Sequence, residues 1–411
     1  MPKLARLAGL AAVSSLPLTF LQSRRGLSSG GFSPQTCVCE GHGSGGSLGS
    51  SAAPSARRLP ALRAAQVEDF VREGPLYKKL LLCCSPPYSS EWIRHGEVLA
   101  ERLGPSLPGS AEEEKIARRI YHFYLPIYYW MRQQMAEIRA SRELRGDPAE
   151  AICFGLSAPQ GCGKTTMVTL LEELFRSDGL SCESLSIDDF YLPASWQEAV
   201  SELHSGNPLL QTRGNAGTHD VQLGTRTLKA LKKRSRRRQG TEAEAARSSV
   251  FLPRYDKSAD SGRGDQVPQA MWKPAKTPCD VLLLEGWMLG FKPTSDPEAV
   301  AIHPGLRLVN QKLKDYQAWD DLVDSFCILA VEDIQQVYAW RQQAETQMKQ
   351  TRGAGMSEEA VKEFVDNYMP AYAAYRQTLY ASAAAAGVDG KPSLLCWVGP
   401  DRLPYDDESE A

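Results

Sequence analysis

The stretch richest in chemistry is Ala158-Pro159-Gln160-Gly161-Cys162-Gly163-Lys164-Thr165-Thr166, which follows the apolar run Ile152–Leu156 and precedes a helix-like stretch, Met167–Phe175. Glycines at this spacing let successive backbone N–H groups converge on phosphate oxygens. The helix that follows presents its positive end to the same oxygens. This is a Walker A loop, in which Gly161, Cys162, Gly163, Lys164, Thr165 and Thr166 hold the nucleotide. Lys164 neutralises the β and γ phosphates and so serves catalysis, and the Thr165 hydroxyl is offered to Mg²⁺. The first glycine of the usual pattern is Ala158 here. The loop tolerates it where that residue needs no positive φ. ATP and Mg²⁺ are the cofactors this loop predicts.

Two carboxylate sites follow. Ser186-Ile187-Asp188-Asp189-Phe190-Tyr191 closes the next apolar run, about two dozen residues after Lys164. In an open parallel sheet the C-terminal strand ends face the ligand crevice, so a carboxylate here faces the γ-phosphate region. A kinase of small alcohols needs a base or acceptor for the hydroxyl, and Asp188 is the candidate. Asp189 is offered to substrate or metal; alternatively it N-caps a helix or closes a turn. Glu285, in Leu284-Glu285-Gly286-Trp287, ends the strand beginning at Val281, which is the Walker B position, with Glu in place of Asp. It would bind Mg²⁺ directly or through water.

Between these lie Arg213-Gly214-Asn215-Ala216-Gly217-Thr218-His219-Asp220 and Pro253-Arg254-Tyr255-Asp256-Lys257-Ser258. Arginine is the bidentate partner of a carboxylate. The plainer reading is that Gly214, Gly217 and Pro253 mark turns whose charged residues are exposed, and spacing alone does not decide between the two. After the fourth apolar run, Val337–Glu345 reads as a helix, with Lys349 and Arg352 beyond it. Arg341 there is a candidate for closing over the phosphates. The alternative is a surface helix with a buried Trp340.

These groups need a scaffold that gathers strand ends. The runs Ile152–Leu156, Ser184–Ile187, Val281–Leu284, Phe326–Leu329 and Leu394–Val398 alternate with polar, helix-like stretches. Continuous apolar strands separated by helices predict a parallel sheet covered on both faces. The fold expected is therefore α/β: a P-loop NTPase three-layer fold with a mostly parallel sheet and an N-terminal helical extension. Within that extension Ala111–Arg139 is one long candidate helix, its acidic start Glu112-Glu113-Glu114 suited to a helix N-terminus. Pro126 should kink or interrupt it. The aromatics Tyr121, Phe123, Tyr124, Tyr128, Tyr129 and Trp130 read as core.

The chain has 411 residues, 42% hydrophobic and 23% charged, with a formal net charge of −2. That balance implies no bulk attraction to nucleic acid or membrane. No apolar run approaches the roughly 20 residues of a membrane-spanning helix. The basic run Lys232–Arg238 reads as a solvated surface loop rather than a nucleic-acid patch. Ten cysteines without zinc spacing fit a reducing compartment. Cys153, Cys327 and Cys396 read as buried thiols, and the vicinal Cys83-Cys84 as two ordinary thiols rather than a redox switch. From Met1 to Cys39 there is no Asp or Glu, while Lys3, Arg6, Arg24 and Arg25 sit among Ser, Ala and Leu. Such a leader reads as an organelle transit peptide rather than a secretory signal. The expected division is 1–58 leader and linker, 59–147 helical region, 148–400 kinase domain and 401–411 an acidic, frayed tail.

Taken in order, the motifs SAPQGCGKTT, SIDDFY, RGNAGTHD, PRYDKS, EGWMLGF and WRQQAE, with Gly355–Tyr375, resemble the plant-type D-glycerate 3-kinase family. That family belongs to the phosphoribulokinase, uridine kinase and pantothenate kinase group of P-loop kinases. The resemblance spans about Leu59 to Tyr380. It implies ATP-dependent phosphorylation of D-glycerate to 3-phosphoglycerate, the closing step of photorespiration, in the chloroplast stroma after removal of the leader. It assigns Asp188 the base position and Glu285 the Walker B position. Asp189, Tyr191, Arg213, His219, Asp220, Arg254 and Lys257 fall in the substrate region. A monomer with a small-molecule substrate and no nucleic-acid or membrane partner is expected. The rival readings are a kinase of pantothenate, uridine or ribulose 5-phosphate, and a P-loop NTPase that binds nucleic acid. The segment Lys232–Arg247 is longer than the family needs and reads as a surface insertion.

Overall fold

The computed structural model describes residues 64–80, 89–104, 111–233, 250–275, 278–352 and 356–405. The leader, Cys83-Cys84, residues 234–249 of the basic segment and the last six residues lie outside the described residues.

Five strands form one sheet: β1 (Ile152–Ser157), β2 (Cys182–Ser186), β3 (Val281–Gly286), β4 (Ser325–Ala330) and β5 (Ser393–Trp397), in the order β2-β3-β1-β4-β5. Every pairing within it is parallel. All five apolar runs read from the sequence are therefore strands of this sheet. Their side chains alternate between two cores. Ile152, Phe154, Leu156, Val281, Leu283, Cys327 and Leu329 enter one, and Cys153, Leu282, Leu284, Phe326 and Ile328 the other. A strand buried on both faces needs no polar alternation, which is why the central strands β1, β3 and β4 are nearly continuous apolar runs, whereas β2 at the sheet edge keeps Glu183, Ser184 and Ser186 only partly buried.

The first face is covered by α1 (Ala64–Glu73), α2 (Pro75–Leu80), α3 (Ser89–Leu103), α4 (Ala111–Arg118), α5 (Leu125–Arg145) and α6 (Lys164–Ser177). The second carries α7 (Ala194–Leu203), α8 (Val221–Lys232), α9 (Asp296–Ile302), α10 (Leu306–Leu313) and α11 (Gln317–Asp320). Next, α12 (Gln336–Arg352) and α13 (Glu358–Asp366) pack on each other about Val337, Val361 and Val365, with Trp340 of α12 entering the first core. Finally α14 (Met369–Ala385) returns to the second, where α8, α10 and α14 contribute most. Cys153, Cys327 and Cys396 are buried free thiols, as read. The aromatic cluster is core as well, with Tyr121, Phe123, Tyr124, Tyr128 and Trp130 all buried.

The long helix of the extension departs from its expected form. Between α4 and α5 the chain makes a π-helical turn, Arg119–Tyr124, and the Leu125 N–H donates to the carbonyl of Ile120. Pro126 sits in the first turn of α5. With no N–H of its own and a ring that crowds the preceding turn, it widens the helix into π register instead of ending it. The extension is fastened to the loop helix α6 through Asp178. That carboxylate accepts from Arg94 at 2.7 Å, His95 at 2.9 Å and Tyr128 at 2.6 Å, and also from Arg132. These partners hold its carboxyl far below the usual carboxylate range in spite of burial.

Two further expectations are corrected. Lys232, the first residue of the basic run, is buried, its ammonium donating to the Leu322 carbonyl at 2.7 Å and the Asp324 carboxylate at 2.8 Å. It is the last residue of α8 rather than part of a solvated loop, because the base of the sheet offers it an anion. The tail is not frayed at its start: Val398 bridges Pro404, and the Tyr405 N–H donates to Trp397 at 3.1 Å. Among the described residues no helix is long and apolar enough to cross a membrane.

Candidate active site

Register brings the strand ends together. Ser157 of β1 pairs with Gly286 of β3, and Ser186 of β2 pairs with Glu285. The Ala158 N–H donates to the Gly286 carbonyl at 3.1 Å, so the loop leaves β1 directly beside Glu285. Gly161 and Gly163 both adopt positive φ, +82° and +99°, as a loop that turns its N–H groups inward requires. Ala158 is absent from the positive-φ set, so the missing first glycine is harmless. Lys164 opens α6 and lies back along the loop, donating to the carbonyls of Ala158 at 3.0 Å and Pro159 at 3.1 Å.

A capping box fixes the second motif. Ser186 Oγ accepts from the Asp188 N–H at 3.3 Å, and Asp189 Oδ2 accepts from the Ser186 N–H at 3.1 Å. Ile187 and Phe190 of this 3₁₀ turn are buried in the core, and Asp188 is left facing a cleft. Asp189 thus takes the turn-closing role that was the plainer alternative. It also receives the Arg254 guanidinium at 3.3 Å. Gly286 permits this packing, since a Cβ there would stand 2.7 Å from Ile187 Cδ1.

The cleft has a volume of about 690 Å³, and its walls include Thr165, Asp188, Asp189, Arg254, Lys257 and Glu285. Lys257 Nζ donates to Asp188 Oδ2 at 2.6 Å. Burial pushes the Asp188 carboxyl up, but the ammonium of Lys257 and the hydroxyl of Tyr191 outweigh it and hold the group below its ordinary value. Glu285 is the opposite case: burial raises its carboxyl, only partly offset by Lys164. A half-buried carboxylate that lines one cleft with the threonine hydroxyl at the end of a phosphate loop fits a divalent cation. The described residues contain no group of three or more His, Cys, Asp or Glu side chains placed to hold a metal.

Behind Asp188 lies a buried aromatic layer. The Tyr191 and His219 rings meet at a tilt of 31° with centroids 4.4 Å apart, and His219 Nδ1 meets the Tyr316 hydroxyl at 2.7 Å. Burial lowers the His219 imidazole to about 3, so it is neutral, and its Nε2 has no partner. Neither Tyr191 nor His219 lines the cleft itself.

Three residues read as ligand-binding are engaged elsewhere. Asp220 caps α8, its Oδ1 accepting from the Leu223 N–H at 2.8 Å. Arg213 stands over the Tyr255 ring at 5.6 Å and donates to the carbonyls of Gly262, at 3.2 Å, and Arg263. Arg341 does not line the cleft. It pairs with the buried Glu345 and stacks on Phe364 at 4.8 Å, while its neighbour Trp340 is fully buried against Gly161. Conversely, three contributors went unread. Lys273 lines the cleft, Tyr372 accepts from the Gln160 N–H at 3.2 Å, and Arg402 donates to the Gly161 carbonyl at 2.7 Å. The last two reach the loop from more than 200 residues away in sequence, and no local pattern announces them.

No protein-family profile matches the chain. It is 38% identical over 362 residues to the chloroplastic D-glycerate 3-kinase of Arabidopsis thaliana, which covers 86% of this chain and 75% of that protein. It is 37% identical over 236 residues to an uncharacterized kinase of Schizosaccharomyces pombe, 55% of this chain and 81% of the relative. Among solved structures, the D-glycerate 3-kinase from Cryptococcus neoformans superposes with a TM-score of 0.58 at 28% identity, covering 68% of this chain and 97% of that one. Extent and identity together place the sequence inside a family of P-loop kinases: the chain belongs to the D-glycerate 3-kinase family.

Proposed function

We propose that this protein transfers the γ-phosphoryl group of ATP to a hydroxyl of D-glycerate, giving 3-phospho-D-glycerate. The observation that carries the reading is the meeting of Thr165, Asp188 and Glu285 in one cleft whose facing wall supplies Arg254 and Lys257. The loop amides and Lys164 hold the triphosphate. Thr165 and Glu285 would hold Mg²⁺, which supplies neutralisation of the charge shared by the β and γ phosphates. Arg254 lies in the cleft wall with its guanidinium half-exposed, so it is better placed than Arg213 to clamp the substrate carboxylate. Asp188, kept ionised by Lys257, accepts the proton of the attacking hydroxyl. Catalysis is positioning and electrostatics, with no covalent intermediate on the protein.

The acid-poor leader and the chloroplastic designation of the Arabidopsis relative support a chloroplast location and a photorespiratory role. The enzyme acts as a monomer in this reading. The test is incubation of the purified chain with ATP, Mg²⁺ and D-glycerate, the position of the phosphate being read by ³¹P and ¹³C NMR. Turnover of pantothenate, uridine or ribulose 5-phosphate in place of D-glycerate would overturn the substrate. Nucleic-acid-stimulated ATP hydrolysis without a phosphorylated acid would overturn the reaction class.

A further inference from the structure

The Walker A loop is braced from outside by a residue of the last turn in the described chain. Residues 399–403 form a tight turn after β5. The Gly399 N–H donates to the Leu403 carbonyl at 2.9 Å, the Arg402 N–H to the Gly399 carbonyl at 2.9 Å, and the Leu403 N–H to Asp401 Oδ1 at 3.0 Å. Trp340 of α12 pins the turn by donating its indole N–H to the Pro400 carbonyl at 2.9 Å. Arg402 itself has φ +62°, a left-handed conformation that a non-glycine residue adopts at a cost. That conformation delivers the guanidinium to the loop. Nε donates to the Gly161 carbonyl at 2.7 Å, Nη2 to Gln343 Oε1 at 3.0 Å, and Cζ lies 5.3 Å from the Trp340 ring centre.

The carbonyl of Gly161 and the N–H of Cys162 belong to one planar trans peptide and point in opposite directions. A guanidinium that holds the carbonyl outward therefore turns the Cys162 N–H away from α12 and the tail, toward the inside of the loop. Without that hold, a peptide flanked by a glycine at φ +82° is free to rotate, and a rotation of half a turn would present a carbonyl to the phosphates. Trp340 closes the same side, since a Cβ on Gly161 would stand 2.6 Å from Trp340 Cβ.

We propose that Arg402 is a positioning residue for ATP: by holding the Gly161 carbonyl it keeps the Cys162 N–H turned into the phosphate cradle, tying nucleotide affinity to the segment after β5. The inference rests on the reading of this loop as the ATP site. A charge-assisted hydrogen bond of this kind is worth about 10- to 100-fold in affinity.

The experiment compares Arg402→Ala, Arg402→Lys and Gln343→Ala by steady-state kinetics and by the Cys162 amide resonance titrated with ADP. Arg402→Ala is expected to raise KM for ATP about 10- to 100-fold, to leave KM for D-glycerate within about twofold, and to lose the ADP-induced shift of the Cys162 amide. Arg402→Lys keeps one donor and recovers part of the affinity, and Gln343→Ala moves in the same direction by less. An ATP KM within twofold of wild type in Arg402→Ala overturns the proposal, as does an equal rise in both KM values. If Arg402→Ala does not fold, unchanged ATP KM values in the other two variants overturn it. Failure of the wild-type amide to respond to ADP would instead sink the assignment of the loop as an ATP site.

Discussion

Replacing Asp188 by Asn removes the charge from the proposed base while keeping its shape. Asp188 accepts from Lys257 Nζ at 2.6 Å and is hydrogen-bonded by Tyr191. An amide oxygen still accepts from one of these, but it takes no proton from a substrate hydroxyl. General-base assistance contributes about 100- to 10,000-fold. At about 1.4 kcal/mol per decade this is a barrier rise of about 3–6 kcal/mol. The effect on folding is much smaller. The Lys257 side chain is 60% exposed, so losing its ion pair changes stability by less than about 1 kcal/mol. The variant should therefore fold and bind ATP nearly as the wild type does, and lose kcat. The assay is ADP release coupled to NADH oxidation, with ATP affinity from calorimetry and folding from the urea midpoint. A kcat within tenfold of wild type refutes the base assignment. Parallel loss of ATP binding and folding would show that the residue is structural.

Three further outcomes are expected. Lys257→Ala removes the cation that keeps Asp188 ionised, leaving burial to push the carboxyl upward, so the acidic limb of the kcat/KM pH profile moves to higher pH. An unmoved limb would refute the coupling. Gly286→Ala places a Cβ 2.7 Å from Ile187 and displaces the turn that carries Asp188, lowering kcat about tenfold or more. Adding Ile187→Ala makes room and restores part of the rate, and a double variant no better than the single would refute this steric account. Lys292→Ala leaves the fully buried Asp320 without the ammonium now 2.8 Å away and destabilises the fold by about 3 kcal/mol in urea titrations. Burial already raises the Asp320 carboxyl to about 6, so the native state holds its proton more tightly than the unfolded chain does. The loss should therefore grow as pH rises from 5 to 8; a loss independent of pH would refute it.

The sequence by itself determined the elements and the nucleotide loop. The apolar runs of β1, β3 and β4 became parallel strands because a strand buried on both faces leaves a signature in its own residues, while β2, at the sheet edge, carries that signature only in Cys182 and Leu185. The loop was legible because glycine spacing, Lys164 and Thr165 act within nine consecutive residues. The capping box of Ser186 and Asp189 is local in the same sense, and the reading stayed open between cap and ligand only because a carboxylate at a strand end also invites a ligand role.

What only the tertiary structure decided is the use to which charged residues are put. Asp220 could serve a substrate or a helix end, and the start of α8 claimed it. Lys232 looked like the first residue of a solvated basic run until Asp324, 92 positions away, drew it inward. Arg402 stood in an acidic tail, yet its guanidinium lies on a loop 241 positions earlier in the chain. A charged side chain carries no mark of its partner, because the partner is chosen by chain crossings that bring distant segments within hydrogen-bonding reach, whereas glycine, proline and apolar periodicity constrain the backbone where they stand.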